Sequence, residues 1–194
     1  IENIKEEFKL PAVVAINRFP TDTEAELDKI RELCEEKGVN VALSEIFADG
    51  GAGGQELAEK VLEAMEEGNE DFDYLYPTEM PIAEKIETIA KRIYGADGVD
   101  FTAGAQKDIE KLTKQGFADM PICMAKTQSS ISDDASKKGR PENFRVTVRE
   151  INVSAGAGFL VALTGAVMTM PGLPAVPSAE QIDVDQDGNI TGLF

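Results

Sequence analysis

The first continuous apolar stretch, Ala12 to Ile16, stops abruptly at Asn17, Arg18, Phe19 and Pro20. It is too short and too uniformly apolar for an amphipathic helix and is rich in valine, which predicts a strand buried on both faces. Before it, Ile1, Ile4 and Phe8 fall at helical spacing and predict the end of a helix. After it, Thr21 with Glu24 three residues on predicts a capping box. The helix that follows places Leu27, Ile30, Leu33 and Cys34 on one face and ends at Lys37 and Gly38. Val39 to Leu43 is a second apolar run, so the two strands and their helix form a βαβ unit, whose crossover is almost always right-handed. The loop leaving the second strand, Ser44 to Gly54, carries glycine at Gly50, Gly51, Gly53 and Gly54.

From Gln55 to Glu67 the period is helical again, with Leu57, Val61, Leu62 and Met65 expected inward and glutamates outward. A second amphipathic helix is predicted from Thr78 through Ile82, Ile86, Ile89 and Ile93 to Gly95. Val99 to Phe101 predicts a short strand and Gln106 to Gln115 a helix. Ile122 to Ala125 predicts a strand whose exit, Lys126 to Pro141, is long and polar. Beyond Pro141 the period changes to two. Phe144, Val146 and Val148 alternate with Arg145, Thr147 and Arg149, and the alternation resumes at Ile151 and Val153, which predicts a half-exposed strand. Ser154 to Gly158 reads as a tight turn, Phe159 to Leu163 as a buried strand and Met168 to Pro174 as an apolar loop. Asp187 and Gly188 turn a terminal hairpin, with Ile182 and Val184 on one arm and Ile190 on the other. The expected class is α/β: an open, mostly parallel sheet flanked by helices, with a β-rich C-terminal part ending in a hairpin. Residues 1–194 form a single unit in this scheme, 1–141 being its α/β part and 142–194 its β-rich part.

A chain of 194 residues with 42% hydrophobic content can bury a real core. The net charge of −17 is concentrated at the start, where residues 1–76 hold 7 basic against 20 acidic groups. Such a surface repels phosphate backbones and anionic lipid, which argues against nucleic-acid and membrane partners. The acidic excess fits the solvated face of a cytoplasmic protein. With no histidine in the sequence, familiar zinc sites and catalysts of the Ser-His-Asp or Cys-His kind are argued against. Cys34 and Cys123 lie far apart without a CxxC pattern and are expected as buried thiols in a reducing compartment. No apolar run approaches the roughly 18 to 20 residues of a membrane span, and the acidic amino end lacks the shape of a signal peptide. It also lacks an initiator methionine, so the chain is expected to be the later part of something longer.

Ligands of open α/β sheets sit at the carboxyl ends of the strands, where strand-to-helix turns splay apart. Asn17, Arg18 and Phe19 are therefore candidate contacts. Phe19 and Phe47 are each the only aromatic residue of their loop, and spacing leaves two arrangements open. Either the rings face each other across a slot for a planar heterocycle, with stacking worth about 0.5–1.5 kcal/mol per ring pair, or both fold back on the core. Gly50 to Gly54 is a phosphate-cradling nest or a flexible lid, and it matches neither GxxxxGKS/T nor GxGxxG. Asp183 to Gly188 lacks the closing glutamate of a calcium loop and reads as a hairpin turn, so no metal site is assigned. Lys137, Lys138, Arg140, Arg145 and Arg149 form the basic stretch, either a solvated strand face or a seat for a ligand carboxylate.

The segments AINRFPTDTEAEL (Ala15 to Leu27), FADGGAGG (Phe47 to Gly54), AKTQSSIS (Ala125 to Ser132), SAGAGF (Ser154 to Phe159) and TMPGLP (Thr169 to Pro174) resemble formate–tetrahydrofolate ligases. They occur in that family's order and run to the same terminal GLF, so the likeness covers essentially the whole chain, which is similar to the last third of the family's longer members. The resemblance implies that ATP phosphorylates formate and that N10 of tetrahydrofolate attacks formyl phosphate to give 10-formyltetrahydrofolate. It implies that the P-loop lies upstream, with ATP, magnesium and a monovalent cation bound mainly outside this segment, and that the enzyme is a homo-oligomer. It assigns the pterin to Phe19 and Phe47 with Leu43 beside them, to which the position at the strand exit adds Asn17 and Arg18 as candidate contacts. Gly50, Gly51, Gly53, Gly54, Pro171, Gly172 and Leu173 are loop contributors, and Lys126, Lys137, Lys138 and Arg140 are candidates for the folate glutamate tail. Family members usually carry tryptophan where this chain has Phe47, a smaller ring without an indole N–H. No catalytic residue is assigned, and the segment alone is expected to be inactive. Two alternatives stand beside this: a non-catalytic α/β assembly domain with glycine loops as linkers, and a flavodoxin-like module holding a flavin between the same rings.

Overall fold

The computed structural model describes residues 1–68, 72–167 and 175–192. A π-helical turn at Asn3–Glu7 precedes the βαβ unit, in which β1 (Val13–Asn17) and β2 (Asn40–Ser44) pair in parallel around α1 (Glu24–Glu36). The capping box forms two residues later than expected, at Thr23 and Glu26 rather than Thr21 and Glu24. Asp22 is the reason: its carboxylate accepts from the Phe19 amide at 2.8 Å, which curls 19–22 into a turn and leaves Thr23 as the last extended residue. Gly38 closes α1 at φ +58°, a left-handed conformation that glycine adopts without a Cβ penalty.

Burial corrects several expectations in this unit. β1 is not buried on both faces, since Ile16 is buried but Ala15 and Asn17 are exposed. The sheet has two strands, and α1 and α3 (Gln55–Glu67) lean chiefly on β2, which leaves β1 as an edge. Leu27 and Cys34 are buried on α1, whereas Ile30 and Leu33 are exposed. On α3 the inward residues are half-buried Leu57 and buried Ala64, while Val61, Leu62 and Met65 face out. Of the expected stripe, only Leu57 is covered. Between β2 and α3 lies a short helix, α2 (Ile46–Asp49), followed by a 3-10 turn at Gly50–Gly54.

The second sheet has the order β3-β5-β6-β4 and is built from β3 (Gly98–Phe101), β4 (Ile122–Ala125), β5 (Arg145–Ser154) and β6 (Phe159–Thr164). Its outer pairs are parallel and its central pair antiparallel, so the fold is mixed α/β with mostly parallel pairing. The helix expected from Thr78 begins at α4 (Ile82–Thr88), because Pro81 cannot donate into a preceding turn and instead sets the helix start. α4 runs on as a π-helical turn at Ile89–Ile93. α5 (Ala103–Lys114) starts three residues before the expected Gln106 because the Thr102 hydroxyl caps the Ala105 amide at 3.2 Å. Ile82, Ile86, Val99, Leu112, Val146, Val148 and Leu160 are among the residues of the principal core, which lies wholly in this half.

The break in β5's alternation is a bulge. Val148 pairs with Thr164 and Glu150 with Leu163, so Arg149 is the extra residue, and Val146, Val148 and Ile151 all reach the core. Cys34 is buried as expected but Cys123 is exposed. It sits on edge strand β4, opposite Ile122 and Met124, which pack on the core. The terminal hairpin forms from β7 (Asp183–Val184) and β8 (Ile190–Thr191), and the Asp185 carboxylate accepts from the Asp187 and Asn189 amides inside its turn.

Candidate functional site

The register of the parallel pair, Val13 with Asn40 through Asn17 with Ser44, brings both strands to the same level at their carboxyl ends. The Arg18 amide donates to the Ser44 carbonyl at 3.1 Å and extends the ladder one step into the loops. Phe19 follows on the turn held by Asp22, and its ring is 59% exposed. On the β2 side the Glu45 carbonyl accepts from the Ala48 and Asp49 amides, so Glu45 opens the turn of α2 that carries Phe47. The Phe47 ring is 97% exposed. Neither ring folds back on the core. Among the described residues the ring pairs in contact are Phe8 with Phe72 and Phe72 with Tyr74, so Phe19 and Phe47 do not touch.

A groove of about 540 Å³ opens beside this edge, lined by Leu43, Glu45, Asp49, Ala52, Gly53 and Glu56. Half-buried Leu43 lines it together with Ala52 and Gly53 of the glycine turn. That turn is not a loose linker: the Glu45 amide donates to the Gly53 carbonyl at 3.0 Å, and Gly53 and Gly54 lie against the Glu45 backbone and the Ile46 side chain. Glu45, Asp49 and Glu56 were not singled out from the sequence. The available signal was their position, three acids flanking a glycine turn at the exit of a parallel strand.

Arg18 is fixed by two carboxylates, Glu24 at 2.7 Å and Glu45 at 3.1 Å. Asn17 is the last residue of β1 and is exposed. Pro171, Gly172 and Leu173 lie outside the described residues. The basic candidates are gathered elsewhere, around the exit of β4. The Lys126 ammonium donates to the carbonyls of Thr127 (3.0 Å) and Ser130 and stands over the Tyr94 ring, and burial pulls its pKa below the usual lysine value. Buried Ser130 and Ser132 share a hydroxyl hydrogen bond of 2.8 Å and tie down the same loop. Lys137 stands over the Phe144 ring, Lys138 donates to the Ser129 carbonyl at 3.3 Å, and Arg140 pairs with Glu2 at 2.7 Å. A hydrogen bond from Lys37, with the charges of Arg140 and Lys37, holds the Glu2 carboxyl below its usual range.

The family model of formate–tetrahydrofolate ligase matches residues 1–194, the whole of the chain. The chain belongs to the formate–tetrahydrofolate ligase family. The level strand ends, the two exposed phenylalanines and the acid-lined groove lie together at one end of the β1–β2 pair. Among the described residues no helix is long and apolar enough to cross a membrane.

Proposed function

We propose that the β1–β2 edge is the folate side of the ligase, with the pterin of tetrahydrofolate held by Phe19 and Phe47 next to Leu43. The observation that carries this is the pair of rings left in water at the level exits of two parallel strands. Fully burying a phenylalanine side chain is worth about 1.5–3 kcal/mol, and neither residue has realised all of that in the fold, so a flat apolar guest stacked on one face gains part of it on binding. ATP transfers its γ-phosphoryl group to formate, releasing ADP, and the carbonyl carbon of the resulting formyl phosphate is attacked by the N10 amine of tetrahydrofolate as phosphate leaves and the amine gives up its proton. The part played by this chain is to hold that amine at the acyl donor, which is catalysis by proximity. ATP, its magnesium and a monovalent cation are held mainly outside residues 1–194 in this scheme, consistent with the absence of GxxxxGKS/T. Phosphoryl transfer proceeds by positioning and charge stabilisation and needs no histidine.

Calorimetric titration with tetrahydrofolate tests the assignment. Phe19→Ala and Phe47→Ala are each expected to weaken binding about threefold to tenfold, and Phe47→Trp to strengthen it. Equal affinity in the parent and both alanine variants would overturn it. Charge reversal of Lys137 and Lys138 tests the glutamate-tail assignment by affinity for polyglutamylated folate. An assembly role has its own support in the exposed Val61, Leu62 and Met65 of α3. Leu62→Glu is expected to shift the sedimenting species toward smaller assemblies if that face is an interface between subunits.

A further inference from the structure

We infer that Arg18 is a positioning residue that clamps the two exit loops together and so sets the separation of the Phe19 and Phe47 rings. This rests on the pterin assignment above and adds to it the part that holds the slot in shape. The two nitrogens of one guanidinium reach carboxylates on different elements: Nη2 meets Glu24 at 2.7 Å and Nη1 meets Glu45 at 3.1 Å. Glu24 is the first residue of α1, directly after the loop that bears Phe19. Glu45 accepts the first amides of the turn that bears Phe47. The Arg18 backbone adds a third tie, to the Ser44 carbonyl. A planar fork with donors at fixed spacing spans two carboxylates, whereas a lysine ammonium on a flexible stem does not reproduce that geometry. The Phe47 ring, 97% exposed, has no packing of its own to fix it. Its place is the place of the α2 backbone, and Glu45 anchors that. With a carboxylate on each side, the guanidinium is committed to the loops and is not the seat of the folate tail.

The test is steady-state kinetics of the full-length ligase, varying each of the three substrates, for Arg18→Lys, Arg18→Ala, Glu45→Gln and the Arg18→Ala/Glu45→Gln double variant, with Phe19→Ala as reference. Because each ion pair is partly exposed and individually modest, the KM for tetrahydrofolate is expected to rise about threefold to tenfold. KM for ATP and for formate stays unchanged, lysine does not rescue, and the double variant is no worse than Arg18→Ala alone. Glu45→Gln keeps the test open if Arg18→Ala does not fold. An unchanged folate KM in the Arg18 and Glu45 variants, with a raised one in Phe19→Ala, overturns the clamp and leaves the pterin assignment standing. No change in any of them overturns both. Full rescue by lysine, an effect that grows with the number of glutamates on the folate, or an equal loss for all three substrates would also overturn it.

Discussion

Three single substitutions in the glycine turn separate a close-packed wall from a loose lid. A Cβ on Gly53 would come within 2.5 Å of the Glu45 carbonyl carbon and oxygen and 3.0 Å of the Ile46 nitrogen. All three atoms are backbone, so the clash is relieved only by moving the turn that opens α2, at the expense of the Glu45 amide bond to Gly53. Overpacking costs about 1–3 kcal/mol and the lost hydrogen bond about 1 more, so Gly53→Ala is expected to destabilise by about 2–4 kcal/mol. Gly51 has nothing within 4 Å of its would-be Cβ and no left-handed φ. Gly51→Ala is therefore neutral or stabilising by up to about 1 kcal/mol, through the entropy of the unfolded chain. Gly50 also has open space but sits at φ +58°, ψ −140°, a conformation that side chains with a Cβ avoid, so Gly50→Ala costs about 1–3 kcal/mol in backbone strain. Urea denaturation followed by circular dichroism gives the order, and calorimetry with tetrahydrofolate gives the consequence. Only Gly53→Ala displaces Glu45 and with it Phe47, so only that variant is expected to lose folate affinity beyond its effect on folding. A Gly53→Ala protein as stable as Gly51→Ala would refute the packing argument, and equal loss of binding at both positions would mean that the turn's amides contact the ligand directly.

Lys85 is fully buried in α4 and donates to the Ala118 carbonyl at 2.6 Å and the Met120 carbonyl at 3.0 Å; because the desolvation relieved offsets part of the loss, Lys85→Met is expected to cost about 1–3 kcal/mol in denaturation experiments. Burial lowers the Lys85 pKa below 10.5, with Asp119 and Glu79 opposing, so the unfolded chain holds that proton to higher pH and wild-type stability relative to Lys85→Met rises with pH in the window below 10.5. Thr23→Ala removes the α1 cap and is expected to lower stability at neutral pH by about 1 kcal/mol. The Thr23 amide and hydroxyl hold the Glu26 carboxyl below its usual 4.5, so the advantage of wild type over Glu26→Gln is present above 4.5 and disappears as pH falls through the folded value, which acid denaturation curves check.

Local signals in the sequence were most legible where a single residue type forces the backbone. Gly38 and Gly188 end α1 and turn the hairpin at positive φ, and the broken alternation between Val148 and Ile151 marks the bulge that Arg149 makes. The Gln55–Glu67 helix and the β4 span matched at both ends. Which face would be buried was less legible. Periodicity puts Leu57, Val61, Leu62 and Met65 on one stripe of α3, but only Leu57 of these is half-buried, and the buried residue is Ala64, a choice made by tertiary packing and invisible to the period. The capping box moved from Thr21 to Thr23 because the Asp22 side chain captures the Phe19 amide, a competition between two local hydrogen bonds that spacing does not decide. At the candidate site the aromatic residues were evident as lone rings in their loops. Of the ties around them, Arg18 to Glu24 and the Glu45 amide to Gly53 span six and eight residues, whereas Arg18 to Glu45 joins residues 27 apart and comes only with the fold.

That difference has an energetic consequence. The principal core runs from Ile82 to Ala162 and contains nothing from β1, β2 or the loops they feed. Global stability therefore draws mainly on burial in one half, while the geometry of the proposed binding edge draws on polar ties in the other, each individually modest. Substitutions should then divide into two classes. Val146 is 1% exposed at the centre of the larger sheet, and Val146→Ala is expected to cost about 1–3 kcal/mol of stability, from lost burial and the cavity left behind, while tetrahydrofolate affinity stays unchanged under conditions where the protein remains folded. Arg18→Lys should do the reverse, with a denaturation midpoint close to wild type and a weakened folate site. Parallel losses of stability and affinity in Val146→Ala would show that the edge is carried by the core after all, and that the loop ties merely accompany a geometry set by packing.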